Sequence, residues 1–185
     1  RSRGSFAELW RASWTWGLGA GAGAPRPRQA NLSRSVPGVL RGLHLHRRQA
    51  DLWVVADGRP FIALVDVRPV LTGSGDPVTA TIDAVPGDVL WLPAGVAHGF
   101  LARDPLLLVY LVTNEHDGSD ELGFRWDDRR AAVPWPDRAP ILSPRDATAP
   151  TLDDLVAALR AGDQDRKSTR LNSSHVALSR MPSSA

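Results

Sequence analysis

The chain has 185 residues, 43% of them hydrophobic, with no cysteine and a formal net charge of +2. This length and composition favour one globular core, and the absence of cysteine excludes disulfides, thiolate metal sites and cysteine nucleophiles, as expected in a reducing cytoplasm. Four of the 22 basic side chains follow Asp165, so residues 1–165 hold 18 basic and 20 acidic side chains. This balance argues against nucleic-acid binding, and the lack of an apolar run of about 18 residues argues against a membrane span.

The first 28 residues are interpreted as partly loop. Gly17–Pro27 is rich in glycine, alanine and proline, and it follows an aromatic segment, Phe6–Trp16. The chain begins at Arg1 without a methionine, which we interpret as a truncated start. Residues 1–165 are predicted to form a single domain.

The next segments have the pattern of short strands. Asp51–Val55 and Pro60–Arg68 flank an Asp-Gly pair at Asp57-Gly58, which predicts a hairpin. Further strands are predicted at Val89–Leu92, after a Pro-Gly-Asp turn, and at Leu106–Val112. Many strands in series predict a closed all-β domain.

One helix is predicted near the end of the chain. Thr151 and Asp154 have the spacing of a capping box, and Gly162 is placed to end the helix. The apolar stripe between them consists of Leu152, Leu155, Val156 and Leu159. From Arg166 to Ala185 the hydrophobic alternation disappears and the sequence resembles a translated sequencing adapter, so this segment is interpreted as a non-native or disordered tail.

Three histidines fall into recognisable patterns. His44 and His46 are two residues apart, so a strand would place both rings on one face. From Gly38 the chain reads G-x5-H-x-H-x4-D-x6-G, in which the aspartate is Asp51, and a second pattern, G-x5-P-x-G-x2-H, ends at His98. These patterns are similar to the two motifs of the cupin superfamily, with aspartate where glutamate is usual. The resemblance implies a double-stranded β-helix, or jelly-roll barrel, with a short C-terminal helix.

Further segments outside these motifs form a recognisable series. They are F-x-E with Trp10-Arg11, Q-x-N-x-S-x-S-x2-G-V-L-R-G-L-H from Gln29, P-x-G-x-A-H-G-F from Pro93, Tyr110, E-x-G-F-x-W-D-D from Glu121, V-P-W-P from Val133, and L-S-x-R-D ending at Asp146. Through these segments the chain is similar to the dTDP-4-dehydrorhamnose 3,5-epimerase family from Phe6 to about Leu155.

This resemblance implies a cofactor-independent isomerase. Its substrate would be a dTDP-linked 4-keto-6-deoxy-hexose, inverted at carbons beside the C4 ketone in the biosynthesis of L-rhamnose or a related deoxysugar of surface polysaccharide. His44 would be the general base, Asp146 would orient it, and Tyr110 would be the general acid. Such chemistry needs a base that works near neutral pH and a donor that stabilises the oxyanion.

The resemblance also implies a homodimer and a set of substrate-binding residues. Within this set, His98 would assist the oxyanion and Arg41 would hold the diphosphate. The full set is Gln29, Asn31, Arg41, His46, His98 and Glu121.

The chain departs from the family's usual residues at several positions. The family usually has glutamine at His46, lysine at Asp51, aspartate at Ile62 and an aromatic residue near Glu115. The change at Asp51 reverses a charge beside the substrate. It opens the alternative of a metal-dependent cupin enzyme, for example an oxygenase, with the ligands His44, His46, Asp51 and His98. A third alternative is a non-catalytic sugar-nucleotide binder that keeps Arg41 and Asn31.

Simpler structural roles are also open for some of these residues. Tyr110, within LLLVYLV, could be a core aromatic with a satisfied hydroxyl, and Asp146 could cap a helix or turn. Trp126 and Trp135 could pack in the barrel or line the nucleotide pocket.

Overall fold

The computed structural model describes residues 6, 8–11, 13, 26–116 and 118–162, and within them the chain forms nine β-strands. They are β1 (Gln29–Ser35), β2 (Leu40–Leu45), β3 (Asp51–Asp57), β4 (Pro60–Asp66), β5 (Val78–Asp83), β6 (Val89–Leu92), β7 (Val96–Ala102), β8 (Leu106–Val112) and β9 (Leu122–Gly123). One antiparallel sheet has the order β1-β8-β3-β6 and the other the order β5-β4-β7-β2-β9. The predicted all-β fold, a jelly-roll barrel of the cupin type, is confirmed.

The two sheets pack face to face, and alternate residues of each strand point between them. In the four-stranded sheet, Tyr110 pairs with Asn31 on one side and with Trp53 on the other. In the five-stranded sheet, His44 pairs with His98. The inner faces therefore carry polar side chains from both sheets at the same level of the barrel.

The predicted hairpin at Asp57-Gly58 is wrong. β3 pairs with β6 and β8, whereas β4 pairs with β5 and β7, so the turn carries the chain from one sheet to the other. Gly58 has a φ of +83°, and a Cβ there would collide with the carbonyl oxygen of Pro105. An Asp-Gly pair indicates a turn, but it does not decide whether the strands on either side pair with each other.

The predicted strands at Val89–Leu92 and Leu106–Val112 are confirmed as β6 and β8. β4 ends two residues earlier than predicted, because a short helix, α1 (Arg68–Thr72), begins at Arg68 with Pro69 in its first turn. A second short helix, α2 (Pro144–Ala147), was not predicted either.

The predicted C-terminal helix, α3, is described over residues 152–162. Its capping box is present, because Thr151 Oγ1 accepts the backbone N–H of Asp154 at 3.1 Å and donates to the Asp154 carboxylate at 2.6 Å. Its apolar stripe packs in a core cluster around Phe124. No helix among the described residues is long and apolar enough to cross a membrane. The predicted tail, and all but the last two residues of the predicted Gly17–Pro27 loop, lie outside the described residues.

Strands β2 and β7 approach each other closely beside the histidines. A Cβ on Gly42 would lie 2.6 Å from the Cα of Gly99, and the φ of Gly42 is +132°, a conformation that favours glycine. The register of β2 against β7 shifts between Arg41 and His44. This irregularity brings His44 level with His98 at the polar end of the barrel.

Candidate active site

A cavity of about 450 Å³ opens between the two sheets. It is lined by residues of β1, β3 and β8 from one sheet and of β2 and β7 from the other. Eight of the nine predicted site residues line it: Gln29, Asn31, Arg41, His44, His46, His98, Tyr110 and Glu121. The ninth, Asp146, lies behind His44.

His44 and Asp146 form a hydrogen-bonded pair. Nε2 of His44 lies 2.8 Å from Oδ1 of Asp146, whose side chain is 5% exposed. Burial alone would raise the pKa of Asp146, but the hydrogen bond and charge of His44, with help from Ser143 and Arg145, hold that pKa below its usual value. An ionised carboxylate on one ring nitrogen fixes the tautomer and leaves the other nitrogen able to take a proton.

Asp146 is not the N-cap of α2. That position belongs to Ser143, whose Oγ accepts the backbone N–H of Asp146 at 3.1 Å. The Asp146 carboxylate is therefore left for His44, and the short helix holds it in place.

Tyr110 enters the cavity from the opposite sheet. It is half-buried on β8 and packs against the apolar core while also lining the cavity, so the predicted core role and the predicted site role coexist. Burial, and then the negative charge of Asp51, raise the pKa of Tyr110 above 10.0. Its hydroxyl is thus protonated at neutral pH and can donate a proton.

His98 is buried deep in the cavity wall. Burial, and then the charges of His46 and His44, lower its pKa to about 3, so it is neutral at neutral pH. Its Nδ1 lies 3.1 Å from the carbonyl oxygen of Val96. Because a carbonyl can only accept, Nδ1 carries the hydrogen and Nε2 carries a lone pair. This tautomer does not favour the predicted role of His98 as a donor to an oxyanion.

Asp51 is buried beside His98. Its Oδ2 lies 3.7 Å from Nε2 of His98, and because that ring is neutral the contact is not an ion pair. Burial raises the pKa of Asp51 despite the opposing effects of His46 and of a 2.9 Å hydrogen bond from Gln49. The structure thus holds a buried carboxyl group with one oxygen that faces an imidazole lone pair.

Three residues could hold a metal ion. His46, Asp51 and His98 each offer one ligand atom, and these atoms lie within 4.8 Å of one another. His44, the fourth ligand of the metal alternative, is not in this group. Its Nε2 is taken by Asp146.

Polar residues of β1 line one side of the cavity. Nε2 of Gln29 donates to Oδ1 of Asn31 at 2.8 Å, and Oε1 of Gln29 accepts the backbone N–H of His116 at 3.0 Å. Gln29 and Asn31 are thereby held in fixed orientations, as groups that select a ligand must be.

Charged residues surround the cavity mouth. Arg41 is exposed and its Nε donates to Oγ of Ser35 at 3.3 Å. Glu121 pairs with Arg145 and lies 3.1 Å from Nδ1 of His116. Arg41 is thus placed to meet an anionic group that enters the mouth.

Trp53 and Arg145 are among the cavity residues that were not predicted as site residues. Trp53 is 5% exposed, lines the cavity, and packs edge-on against His98 with 5.1 Å between the ring centroids. Arg145 also lines it, and its place directly before Asp146 was the available signal. Trp126 and Trp135 do not line this cavity, since both pack against a separate core cluster.

Comparison with known proteins shows which family the chain resembles. The family model described as dTDP-4-dehydrorhamnose 3,5-epimerase matches residues 1–154. The chain is 38% identical to the dTDP-4-dehydrorhamnose 3,5-epimerase of Escherichia coli, over 69% of this chain and 72% of that protein. The structure is similar to the RmlC epimerase of Mycobacterium tuberculosis, with 35% identity and a TM-score of 0.70 over 85% and 82% of the two chains. It is also similar to ChmJ, a 3'-monoepimerase from Streptomyces bikiniensis solved with dTDP-quinovose, with 29% identity and a TM-score of 0.68 over 89% and 87%.

Proposed function

The chain belongs to the dTDP-4-dehydrorhamnose 3,5-epimerase family, and we propose that His44, Asp146 and Tyr110 carry its reaction. It is an isomerase that acts on a dTDP-linked 4-keto-6-deoxy sugar in the biosynthesis of rhamnose or a related deoxysugar. The observation that carries the assignment of roles is the hydrogen-bonded pair of His44 and Asp146 in a cavity that Tyr110 enters from the other sheet.

The reaction begins with His44. Its free ring nitrogen takes a proton from a carbon beside the ketone, and the electron pair of that C–H bond forms an enolate with its charge on the ketone oxygen. The Asp146 carboxylate, ionised because its pKa is lowered, stabilises the imidazolium that results.

Tyr110 completes the inversion. Its hydroxyl donates a proton to the same carbon, and the enolate returns to the ketone. Because His44 lies on β2 and Tyr110 on β8, in opposite sheets, the proton leaves toward one sheet and arrives from the other. His44 then loses its proton to solvent and Tyr110 regains one, which restores the enzyme.

Arg41 would bind the diphosphate. It stands at the cavity mouth without a resolved carboxylate partner among the contacts of the described residues, and a guanidinium suits two phosphate oxygens. Gln29 and Asn31, held by their mutual hydrogen bond, would position the sugar or the base. A homodimer, a cytoplasmic location and a single domain over residues 1–165 remain predictions.

Hydrogen exchange in heavy water tests this function. The chelator-treated protein is incubated with dTDP-4-keto-6-deoxy-glucose and followed by proton NMR. We expect the C3 or the C5 proton signal to disappear, and the number of signals lost shows how many carbons are deprotonated.

The controls separate the alternatives. Arg59→Ala, at an exposed ion pair with Asp104 remote from the cavity lining, should leave the exchange rate unchanged. Binding of the nucleotide sugar without exchange would support the non-catalytic binder. Oxygen uptake that depends on added metal, again without exchange, would support the oxygenase.

A further inference from the structure

We propose that His46, Asp51 and His98 form a site for one divalent transition-metal ion in the wall of the catalytic cavity. One ligand atom from each of these residues lies within 4.8 Å of the other two. Two of the residues are on different sheets, Asp51 on β3 and His98 on β7, so the barrel itself brings them together.

Both imidazoles are oriented as metal ligands. Nδ1 of His98 donates to the carbonyl of Val96 at 3.1 Å, and Nδ1 of His46 donates to the carbonyl of Asp120 at 2.7 Å. Each bond leaves the lone pair on Nε2 and fixes the plane of the ring, which is the arrangement that accompanies ligating histidines.

The carboxylate is oriented in the same way. Oδ1 of Asp51 accepts a hydrogen bond from Nε2 of Gln49 at 2.9 Å, so Oδ2 is the oxygen that faces His98. A carboxylate oxygen and an imidazole nitrogen 3.7 Å apart are too distant for a hydrogen bond. Two ligands that each lie about 2.1 Å from one ion can be up to about 4.2 Å apart, so the gap suits a bridging ion. All three ligand atoms lie within 4.8 Å of one another, so any pair wider than about 4.2 Å must close by at most about 0.6 Å to share one ion.

The donor set indicates the class of ion. Two imidazole nitrogens and one carboxylate oxygen suit zinc, cobalt, nickel, manganese or ferrous iron, and they do not suit magnesium or calcium, which take oxygen ligands. Three protein ligands leave at least one coordination position, and this position opens into the cavity that these residues line.

A bound ion would supply a positive charge that can neutralise a developing oxyanion, which His98 and Asp51 do not supply. The His98 tautomer presents a lone pair and not a donor, so it does not neutralise a developing oxyanion. Asp51 adds a negative charge nearby, two register positions along β3 and β8 from Tyr110. A divalent ion would reverse that charge and could accept an oxygen of the sugar, while His44 stays paired with Asp146 as the base. This role in turnover rests on the proposed function, whereas the binding of the ion does not.

Direct titration tests the site without substrate. The full chain is stripped with chelator, dialysed, and titrated with Co²⁺ by visible absorption and with Zn²⁺ by calorimetry. We expect one ion per chain, and a loss of affinity of at least about 10- to 100-fold in Asp51→Asn and in His46→Ala. His46 is only partly buried, so its variant should fold even if a change at His98 does not.

Two histidine variants serve as matched controls. His44→Ala alters the same cavity and His116→Ala alters its mouth, and both should keep the ion. The proposal is overturned if no stoichiometric binding occurs, if Asp51→Asn binds as well as the unchanged protein, or if His44→Ala alone abolishes binding. Hydrogen exchange by the metal-free protein is a separate result, so the failure of the site and the failure of the epimerase function are distinguishable.

Discussion

Asp146 is joined to His44 by a 2.8 Å hydrogen bond, although 102 residues separate them in the chain. The carboxylate is carried by the four-residue helix α2, which lies outside both sheets, and Ser143 caps the N-terminus of that helix. His44, the proposed catalytic base, is therefore oriented by a segment that lies outside the barrel.

Replacing Asp146 should impair the reaction and leave the substrate bound. Asp146→Asn keeps the size of the side chain but removes the charge that stabilises the imidazolium and selects its tautomer. We expect kcat to fall by roughly 100- to 10,000-fold, the range attributed to general acid–base groups, with little change in KM. Steady-state epimerisation assays measure both parameters. A fall in kcat below threefold would contradict the assigned role.

Tyr110→Phe should block the delivery of a proton by Tyr110 without blocking the removal of a proton by His44. Phenylalanine keeps the ring that packs in the core, so the fold should be retained. Without the hydroxyl, no proton can be delivered from the four-stranded sheet, while His44 can still remove and return one from its own side. We expect deuterium to enter the sugar while the yield of inverted product drops at least tenfold, as measured by NMR. Inversion at an unchanged rate would show that another group is the acid.

The free energy of unfolding should decrease at acidic pH, and part of this decrease should depend on Asp146. Because its pKa is lower in the folded protein than in the unfolded chain, its contribution to stability is fully present above about pH 4 and is lost as pH falls through the folded pKa. Urea unfolding of the unchanged protein and of Asp146→Asn should thus give free energies that converge as the pH is lowered from 7 to 3. A difference that stays constant over this range would mean that the carboxylate is not stabilised by ionisation.

Ionisation of Asp51 should instead lower the stability of the metal-free protein. Its pKa is raised by burial, so the ionised carboxylate lowers the stability of the metal-free fold at neutral pH. Asp51→Asn keeps an oxygen for the hydrogen bond from Gln49 and removes the buried charge. We expect the Tm of the metal-free variant to rise at pH 7 by about 2–4 °C for each 1 kcal/mol gained. Calorimetry on chelated samples measures the change, and a lower Tm would refute this account of Asp51.

The positions of several strands could be predicted from local sequence, because turn residues and apolar runs indicate the structure of their own segment. β6, β8 and the capping box of α3 are of this kind. The pairing of β3 with β8 could not be predicted in this way, since it joins strands about 50 residues apart and overrides the hairpin expected at Gly58.

The same distinction holds for the site. His44, Tyr110 and Asp146 were named from segments that resemble a family, and the structure brings His44 and Asp146 into contact. Their neighbour Trp53 was missed, because what makes it relevant is a tertiary contact with His98 and not a motif. His44 likewise lies outside the cluster of His46, Asp51 and His98, and its Nε2 is bound to Asp146, which only the tertiary structure shows.

The proposed acid, Tyr110, and the proposed base, His44, lie on different sheets, so the packing between the sheets sets the distance between them. Core side chains such as Val55 on β3 and Ile62 on β4 pack between the sheet that bears Tyr110 and the sheet that bears His44, and they set the separation of the two sheets. A methylene group added or removed at these positions shifts one sheet relative to the other. Proton transfer tolerates displacements of the donor or acceptor of only fractions of an ångström. Core residues that contact neither the substrate nor the proposed catalytic residues can thus determine which carbon of the sugar lies between His44 and Tyr110.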